Sequence, residues 1–326
     1  MTLTYEEQVQ AQIDQFSDAR MRWMLPPVHK YWMRAYVWPH LNTVFRADSH
    51  IDIYANSAMH VAEPRILSVG SGDGNLEISI AKKLQDGGKS KFKIVLTELS
   101  PIRQERAKAA VLTAGLENYF EYQIVDFNTD FPDGPFDIVL AHHTLHHIVE
   151  LEFLFRNIKK SIDSGGAFVT MDMIGRNGHM RWPEALKYVE AAWKFMPDRL
   201  KYNFQMNRFH EDYINFDCSK VGFEGIRAQD ILPLLVKNFW FEGFVGAGGF
   251  VDPIFERGYG QSFDMTAARD VGLVDFLSMM NDVLIRAGEI KPTMIFAVMR
   301  ANRPEGSETR QVDHLSPEFC IRSVDA

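Results

Sequence analysis

Residues 66–75 read ILSVGSGDGN: four residues suited to a buried strand, then glycines at alternate positions, Gly70, Gly72 and Gly74. Glycine turns tightly and lets the backbone approach a ligand closely. In open α/β sheets ligands bind beyond the carboxyl ends of the strands, where this turn falls. A dinucleotide-binding turn reads G-x-G-x-x-G and keeps its helix N-terminus for a pyrophosphate. Here the spacing is G-x-G-x-G, and Asp73 sits inside the loop. A carboxylate there repels a pyrophosphate and attracts an ammonium group. The spacing therefore disfavours an NAD-dependent oxidoreductase.

Outward from this turn, strand and helix patterns alternate. GNLEISIAKKLQD has helical spacing, with Leu76, Ile80 and Leu84 on one face. FKIVLTE follows as a strand and SPIRQERAKAAVLTAGL as a helix, with Ser100 suited to the N-cap, Pro101 to the first turn and Gly115 to the C-terminal end. FEYQIVD and FDIVLAHH are further strands, separated by the turn chemistry of NTDFPDGP. A helix over about 150–161 leads to the strand AFVTMDMI, and FWFEGFVGAGGFV and PTMIFAVMR close the series. The alternation predicts an α/β fold, a parallel doubly wound sheet with helices on both faces. Residues 1–62 are expected to form a helical lid, with Trp23, Tyr31, Trp32, Tyr36 and Trp38 packing on a core. The main domain is expected over 63–300, with substrate-covering insertions at 176–238 and 252–290, and a surface-draped polar tail over 301–326.

Composition bounds the function. The chain has 326 residues, 46% hydrophobic and 24% charged, an ordinary globular balance. Its net charge is −8 with no block of lysines or arginines, so neither nucleic acid nor an anionic membrane is an expected partner. Cys218 and Cys320 stand far apart, without His or Cys at metal spacing, which argues against a disulfide scaffold and a structural zinc. The start, MTLTYEEQVQAQIDQF, does not read as a signal peptide, and no apolar run approaches the roughly 20 residues that span a bilayer. A soluble cytoplasmic protein is expected.

Two acids complete the cofactor reading. Glu98 ends the second strand, where a carboxylate accepts bonds from ribose hydroxyls, and Asp126 ends the third, where one accepts an adenine amino group with Phe127 beside the ring. S-adenosylmethionine has an ammonium, a carboxylate, a sulfonium and no phosphate, which suits an acidic turn. ILSVGSGDG, LTELS, IVDF and FDIVLAHHTLHHI resemble the successive motifs of class I S-adenosylmethionine-dependent methyltransferases. The resemblance covers 64–175 and extends to the closing strands. It implies a Rossmann-like seven-stranded sheet with the last strand antiparallel. It also implies cofactor contacts at Gly70, Ser71, Gly72, Asp73, Gly74, Glu98, Leu99, Asp126, Phe127, Ala141 and His142. EGIRAQDILPLL is similar to a bacterial subgroup that occurs with glycan and natural-product pathways.

HHTLHHI offers four histidines just beyond the fourth strand. In a helical turn His143, His146 and His147 fall at i, i+3 and i+4, and one of them is a candidate general base, His146 and His147 ahead of His143, since imidazole titrates near neutral pH. Asp172, at the end of the fifth strand, is a further candidate base or orienting group. A metal site is not expected, because the motif contains no acid; packing and capping are the plainer role. Arg181, Trp182 and Arg227 are candidate substrate contacts, with His179 in reach of the same space, although Arg227 equally suits pairing with Glu224 or Asp230. The expected activity is methyl transfer to an oxygen or nitrogen of a sugar-like or secondary metabolite. The alternatives are carbon methylation of an aromatic or isoprenoid acceptor, or a non-catalytic cofactor-binding module. The expected partner is a small-molecule acceptor, with a homodimer left open.

Overall fold

The computed structural model describes residues 4–17, 24–163, 165–220 and 222–322. Its main sheet contains β1 (Arg65–Val69), β2 (Lys93–Glu98), β3 (Phe120–Ile124), β4 (Ile138–His142), β5 (Ala167–Met173), β6 (Trp240–Ala247), β7 (Met294–Arg300) and β8 (Arg310–Gln311). The order across the sheet is β8-β6-β7-β5-β4-β1-β2-β3. β1 is central and parallel to both neighbours, with Leu67 level with Val95 of β2 and Val139 of β4. β7 lies antiparallel between β5 and β6. The seven-stranded core with one reversed strand is the expected fold. The chain reverses its winding between β1 and β4, which opens a crevice at the carboxyl ends of those two strands.

Local chemistry explains the elements near the crevice. β1 is buried from Ile66 to Val69, as a strand covered on both faces must be. The helix after it, Asn75–Asp86, starts from Gly74 in a left-handed conformation and buries Ile78, Ile80, Ala81 and Leu84. In the helix Pro101–Ala114 the Ser100 side chain accepts from Arg103 N, and Gly115 ends it with positive φ. Both caps were readable from the sequence.

The N-terminal segment divides into helices Tyr5–Ser17, Pro27–Trp32, Trp38–Phe45 and His50–Met59, with a π-helical turn at Met33–Val37. Trp32 is buried against His29 and Phe255, while Tyr31, Tyr36 and Trp38 are half-buried; Trp23 lies outside the described residues. The 176–238 stretch supplies helices Pro183–Phe195 and Ala228–Asn238, and the 252–290 stretch supplies Asp252–Phe255 and Ala268–Arg286. The tail corrects the expectation of a draped extension: residues 310–311 pair in parallel with Gly243 and Phe244 of β6, and Pro317–Cys320 forms a short helix that buries Cys320.

One buried acid supports the glycine turn from below. Glu77, in the first turn after Gly74, is almost wholly enclosed and accepts a 2.5 Å hydrogen bond from Ser68 Oγ of β1. Burial, reinforced by the nearby charge of Glu98, pushes its carboxyl up to about 7. The folded state therefore keeps this proton at pH values where the unfolded chain, near 4.5, has lost it. Stability from this group is complete below the unfolded value and declines as pH rises toward 7, by on the order of 3 kcal/mol. A Glu77→Gln variant should escape that decline. Thermal unfolding at pH 5 should barely separate the two proteins, whereas at pH 8 the variant should melt several degrees higher. Parallel melting curves at both pH values would refute the buried protonated acid.

Candidate active site

The glycine turn is tied to β2 by several short bonds. Ser71 N donates to the Thr97 carbonyl at 2.8 Å, and Gly72 N donates to Glu98 Oε2 at 2.8 Å. Glu98 Oε1 accepts from Leu99 N at 3.0 Å and Ser100 N at 3.1 Å. An ionised carboxylate has about four acceptor positions, so these three backbone donors leave roughly one for a ligand hydroxyl. Gly70, Gly72 and Gly74 all have positive φ, at 68°, 58° and 74°. A Cβ on Gly72 would stand 2.2 Å from the Arg103 guanidinium, and one on Gly70 would stand 2.5 Å from Thr144 Cγ2. Arg103 reaches back over the turn to within 3.4 Å of Asp73 Oδ1. The turn thus carries one anion and one cation, the pair that the zwitterionic methionine end of S-adenosylmethionine requires. These residues fit that cofactor.

Asp126 is more heavily engaged than the sequence suggested. Its Oδ1 accepts from the backbone and side-chain nitrogens of Asn128, at 3.0 and 2.9 Å, and its Oδ2 accepts from the Tyr5 hydroxyl at 2.6 Å. Asn128 Oδ1 in turn accepts from Val149 N and Glu150 N, joining the β3 and β4 loops. Phe127 is buried with its ring edge toward Phe131. Ala141 is buried within β4, and His142 Nδ1 lies 2.9 Å from the Tyr54 hydroxyl.

Beyond β4 the histidine stretch makes a 3-10 turn over Leu145–His147, with His143 in the left-handed region at φ 52°. The turn is wound around Asp172, which is fully buried at the end of β5. Asp172 Oδ2 accepts from Thr144 N at 2.8 Å and Leu145 N at 2.7 Å. Its Oδ1 accepts from Met173 N at 2.8 Å and meets His146 Nδ1 at 2.5 Å. All four acceptor positions are filled. Asp172 is consequently a positioning residue that sets the ring of His146, and it has no oxygen left to serve as a base. Burial pushes the Asp172 carboxyl up, but His146 and the backbone donors overcome this and hold it at about 2.

Two loops bring further groups to Nε2 of His146. His179 Nε2 is 2.8 Å from Glu224 Oε1, and His146 Nε2 is 3.6 Å from the same oxygen. His147 Nδ1 is 3.8 Å from Glu224 Oε2. Burial opposes charge on His146, yet Asp172 and Glu224 raise it above the ordinary imidazole value. Burial and the neighbouring His146 lower His147 to about 3, while burial holds His143 at about 4. Of the three candidate bases, His146 has the oriented ring and the partnered charge.

The proposed substrate residues lie elsewhere. Arg181 is buried in an ion pair with Asp252 at 2.7 Å and donates to the carbonyls of Gly249 and His179. Arg227 forms a fork with both oxygens of Glu152 and pairs with Asp230 at 2.8 Å. Trp182 lies under the Arg322 guanidinium. None of these three side chains joins the histidine cluster, because each is committed to packing or to an internal charge. The sequence reading missed Tyr5, Tyr54, Arg103 and Asn128, and it considered Glu224 only as a partner of Arg227. A separate cavity of about 510 Å³, lined by Gly166, Trp240, Glu242, Arg300 and Arg310, lies at the amino ends of β5 and β6 and the carboxyl end of the reversed β7. It is remote from this chemistry.

The reversed strand, the glycine turn after β1 and the acid ending β2 define a class I methyltransferase domain, whose cofactor is S-adenosyl-L-methionine. Residues 67–168 match the family model described as "Methyltransferase domain", and this part of the chain is such a domain. The reducing polyketide synthase ppsB of Aspergillus oryzae is 30% identical over 275 residues, which is 81% of this chain and 10% of that protein. Ajmaline N-methyltransferase of Rauvolfia serpentina is 27% identical over 117 residues, 35% of this chain and 38% of that protein. The chain thus spans well under half the length of either relative. Among solved structures, StiE O-MT has 16% identity and a TM-score of 0.44 over 79% of this chain and 76% of that one. The YcgJ protein of Bacillus subtilis has 14% identity and a TM-score of 0.40 over 78% and 98%. Among the described residues no helix is long and apolar enough to cross a membrane.

Replacing Glu98 by Gln keeps the shape of the latch and removes its charge. Each charge-assisted bond is worth about 1.5–3 kcal/mol, so S-adenosylhomocysteine should bind roughly 10–100-fold more weakly. Calorimetry on the folded variant provides the measurement. Unaltered affinity would remove Glu98 from the cofactor site.

Proposed function

We propose that the chain transfers a methyl group from S-adenosylmethionine to an oxygen or nitrogen of a small-molecule acceptor, of the secondary-metabolite kind. The observation that carries this reading is the Asp172–His146 pair, on the loop whose Thr144 packs against Gly70 of the glycine turn, with Nε2 directed away from the carboxylate. The cofactor, when bound, supplies an electrophilic methyl on sulfur; the acceptor–methyl bond forms as the sulfur–methyl bond breaks, and S-adenosylhomocysteine and a proton are released.

The chain's part is to place the acceptor and take that proton. Asp172 fixes the Nδ1–H tautomer of His146, which leaves Nε2 as the proton-accepting atom. Glu224 and His179 stand across from Nε2 and line the space for the acceptor atom. Tyr54, from helix His50–Met59, and Tyr5, from helix Tyr5–Ser17, bring N-terminal side chains to the ends of β4 and β3. They are the lid side of the crevice, which excludes water from the reaction. The matches to a reducing polyketide synthase and to ajmaline N-methyltransferase support a natural-product acceptor. Carbon methylation is the second reading, because the same Nε2 can remove a proton from a carbon flanked by carbonyls.

The His146→Asn variant should lose about 10²–10⁴-fold in turnover, the range of general-base assistance, while its affinity for S-adenosylhomocysteine holds. Asp172→Asn should also reduce turnover, since an amide in place of the carboxylate no longer selects the Nδ1–H tautomer. Transfer of a labelled methyl to an extract of secondary metabolites, followed by mass spectrometry, reads both variants and identifies the acceptor atom. Near-native turnover in His146→Asn would overturn the assignment of that histidine.

A further inference from the structure

The acid that the histidine motif lacks arrives from a distant loop. Glu224 brings a carboxylate to His146 and His179, and one ligating atom from each of the three lies within 4.8 Å of the others. We propose that His146, His179 and Glu224 bind a divalent transition-metal cation, which holds and ionises the acceptor's oxygen. The proposal rests on the methyl-transfer reading and revises one step of it: a cation bound at Nε2 takes the place of proton exchange at that atom, and the proton goes to water.

Four observations support the site. First, two imidazoles and one carboxylate are the donor set of mononuclear sites that keep positions open for substrate, and mixed N/O donors suit Zn²⁺, Fe²⁺, Co²⁺ or Mn²⁺. Second, His146 offers Nε2 to the site while Nδ1 is bound to the buried carboxylate of Asp172. That carboxylate–histidine arrangement is the usual outer support of a metal-ligating imidazole. Third, Asp172 and Glu224 approach His146 from opposite sides, at 2.5 and 3.6 Å. Glu224 faces the imidazoles of His146, His147 and His179, and a dication bound among these groups would neutralise its carboxylate.

Fourth, the ligating loops are held rigidly. His179 has the left-handed φ of 56°, directly after Gly178 at 68°. A non-glycine residue pays for that conformation and keeps it only where its surroundings enforce it. The enforcement is visible: Gly178 N donates to the Gly225 carbonyl at 2.9 Å, and the Arg181 guanidinium holds the His179 carbonyl at 2.9 Å. Ile226 N donates to the His146 carbonyl at 3.1 Å, which fastens the Glu224 loop to the histidine turn. Residues from three separate segments are therefore locked together around one point before any ligand arrives.

The chemistry balances without a redox partner. The acceptor's hydroxyl oxygen coordinates the cation, its acidity rises and its proton passes to water. The same oxygen lone pair then forms the bond to the methyl carbon as the carbon–sulfur bond breaks. Acceptors that present two adjacent oxygens, such as a vicinal diol, a catechol or an enolised dicarbonyl, would chelate a cation that leaves two or more positions open and bind best.

The test is titration of the full chain, stripped with a chelator, with Co²⁺ and separately with Zn²⁺ and Mn²⁺. Calorimetry and metal analysis of the dialysed protein give the stoichiometry, and the visible bands of Co²⁺ report an inner-sphere protein site. One cation per chain is expected, with binding lost or weakened at least about 10-fold in His179→Gln and in Glu224→Gln. His314→Ala, at an exposed imidazole near the chain end, should still bind one cation. Circular dichroism confirms that each variant is folded, and the milder Glu224→Asp should retain partial binding if the first Glu224 variant unfolds. Absence of stoichiometric binding to any of the three cations, or unchanged binding in both ligand variants, would overturn the site. Methyl transfer that survives the chelator at full rate in a protein without metal would overturn it too, while leaving the methyltransferase reading intact. Stoichiometric binding that depends on His179 and Glu224, in a protein that methylates nothing, would uphold the site and reject that reading.

Discussion

The carboxylate of Asp172 is the constraint on which the site depends. It is completely enclosed at the end of β5, and it receives three backbone N–H groups and one imidazole. An ionised carboxylate without partners would be very costly there; with every lone pair used it becomes a fixed post. The loop after β4 winds round it, so the positions of His143, His146 and His147 follow from this one charge. The loop bearing Glu224 then fastens to the histidine turn through Ile226 N, and to the His179 loop through Gly225. Geometry set at a strand end thus passes outward through backbone hydrogen bonds.

Glu98 occupies the equivalent place on β2 and works by the same physics, with a different outcome. Its carboxylate gathers the N–H groups of Gly72, Leu99 and Ser100, and so closes the glycine turn against the sheet. Three donors leave about one acceptor position. Asp172 retains none. That difference in satisfaction, rather than residue type, separates an acid able to meet a ligand from an acid that orients another side chain.

The arginines divide in a similar way. Arg181 and Arg227 are each neutralised by carboxylates of the chain itself, so they stabilise loops around the site. Arg103 lies over the glycine turn instead, because the helix that follows β2 begins at Pro101 and turns its third residue back toward Gly72. The cation over the glycine turn, paired with Asp73, comes from the first turn of a helix, which is a place the composition of the motif does not advertise.

The order of strands and helices was legible in the residues, since buried parallel strands read as apolar runs and helix ends carry their own caps, as at Ser100 and Gly115. The glycine turn and the acid at the end of β2 were legible for the same local reason: the backbone conformation and the residue type are coupled within a few positions. What lies far apart in the chain was not. Residues 310–311 add an edge strand too short to have a pattern of its own, and Tyr5 meets Asp126 across the fold. The HHTLHHI stretch announced its histidines and favoured His146 and His147, without separating those two. Only the tertiary structure distinguishes the surroundings of His146, by burying Asp172 behind its ring and bringing His179 and Glu224 before it. Hydrogen bonding and burial between distant segments decide the state of an imidazole, and no local pattern encodes the company that a folded chain brings to it.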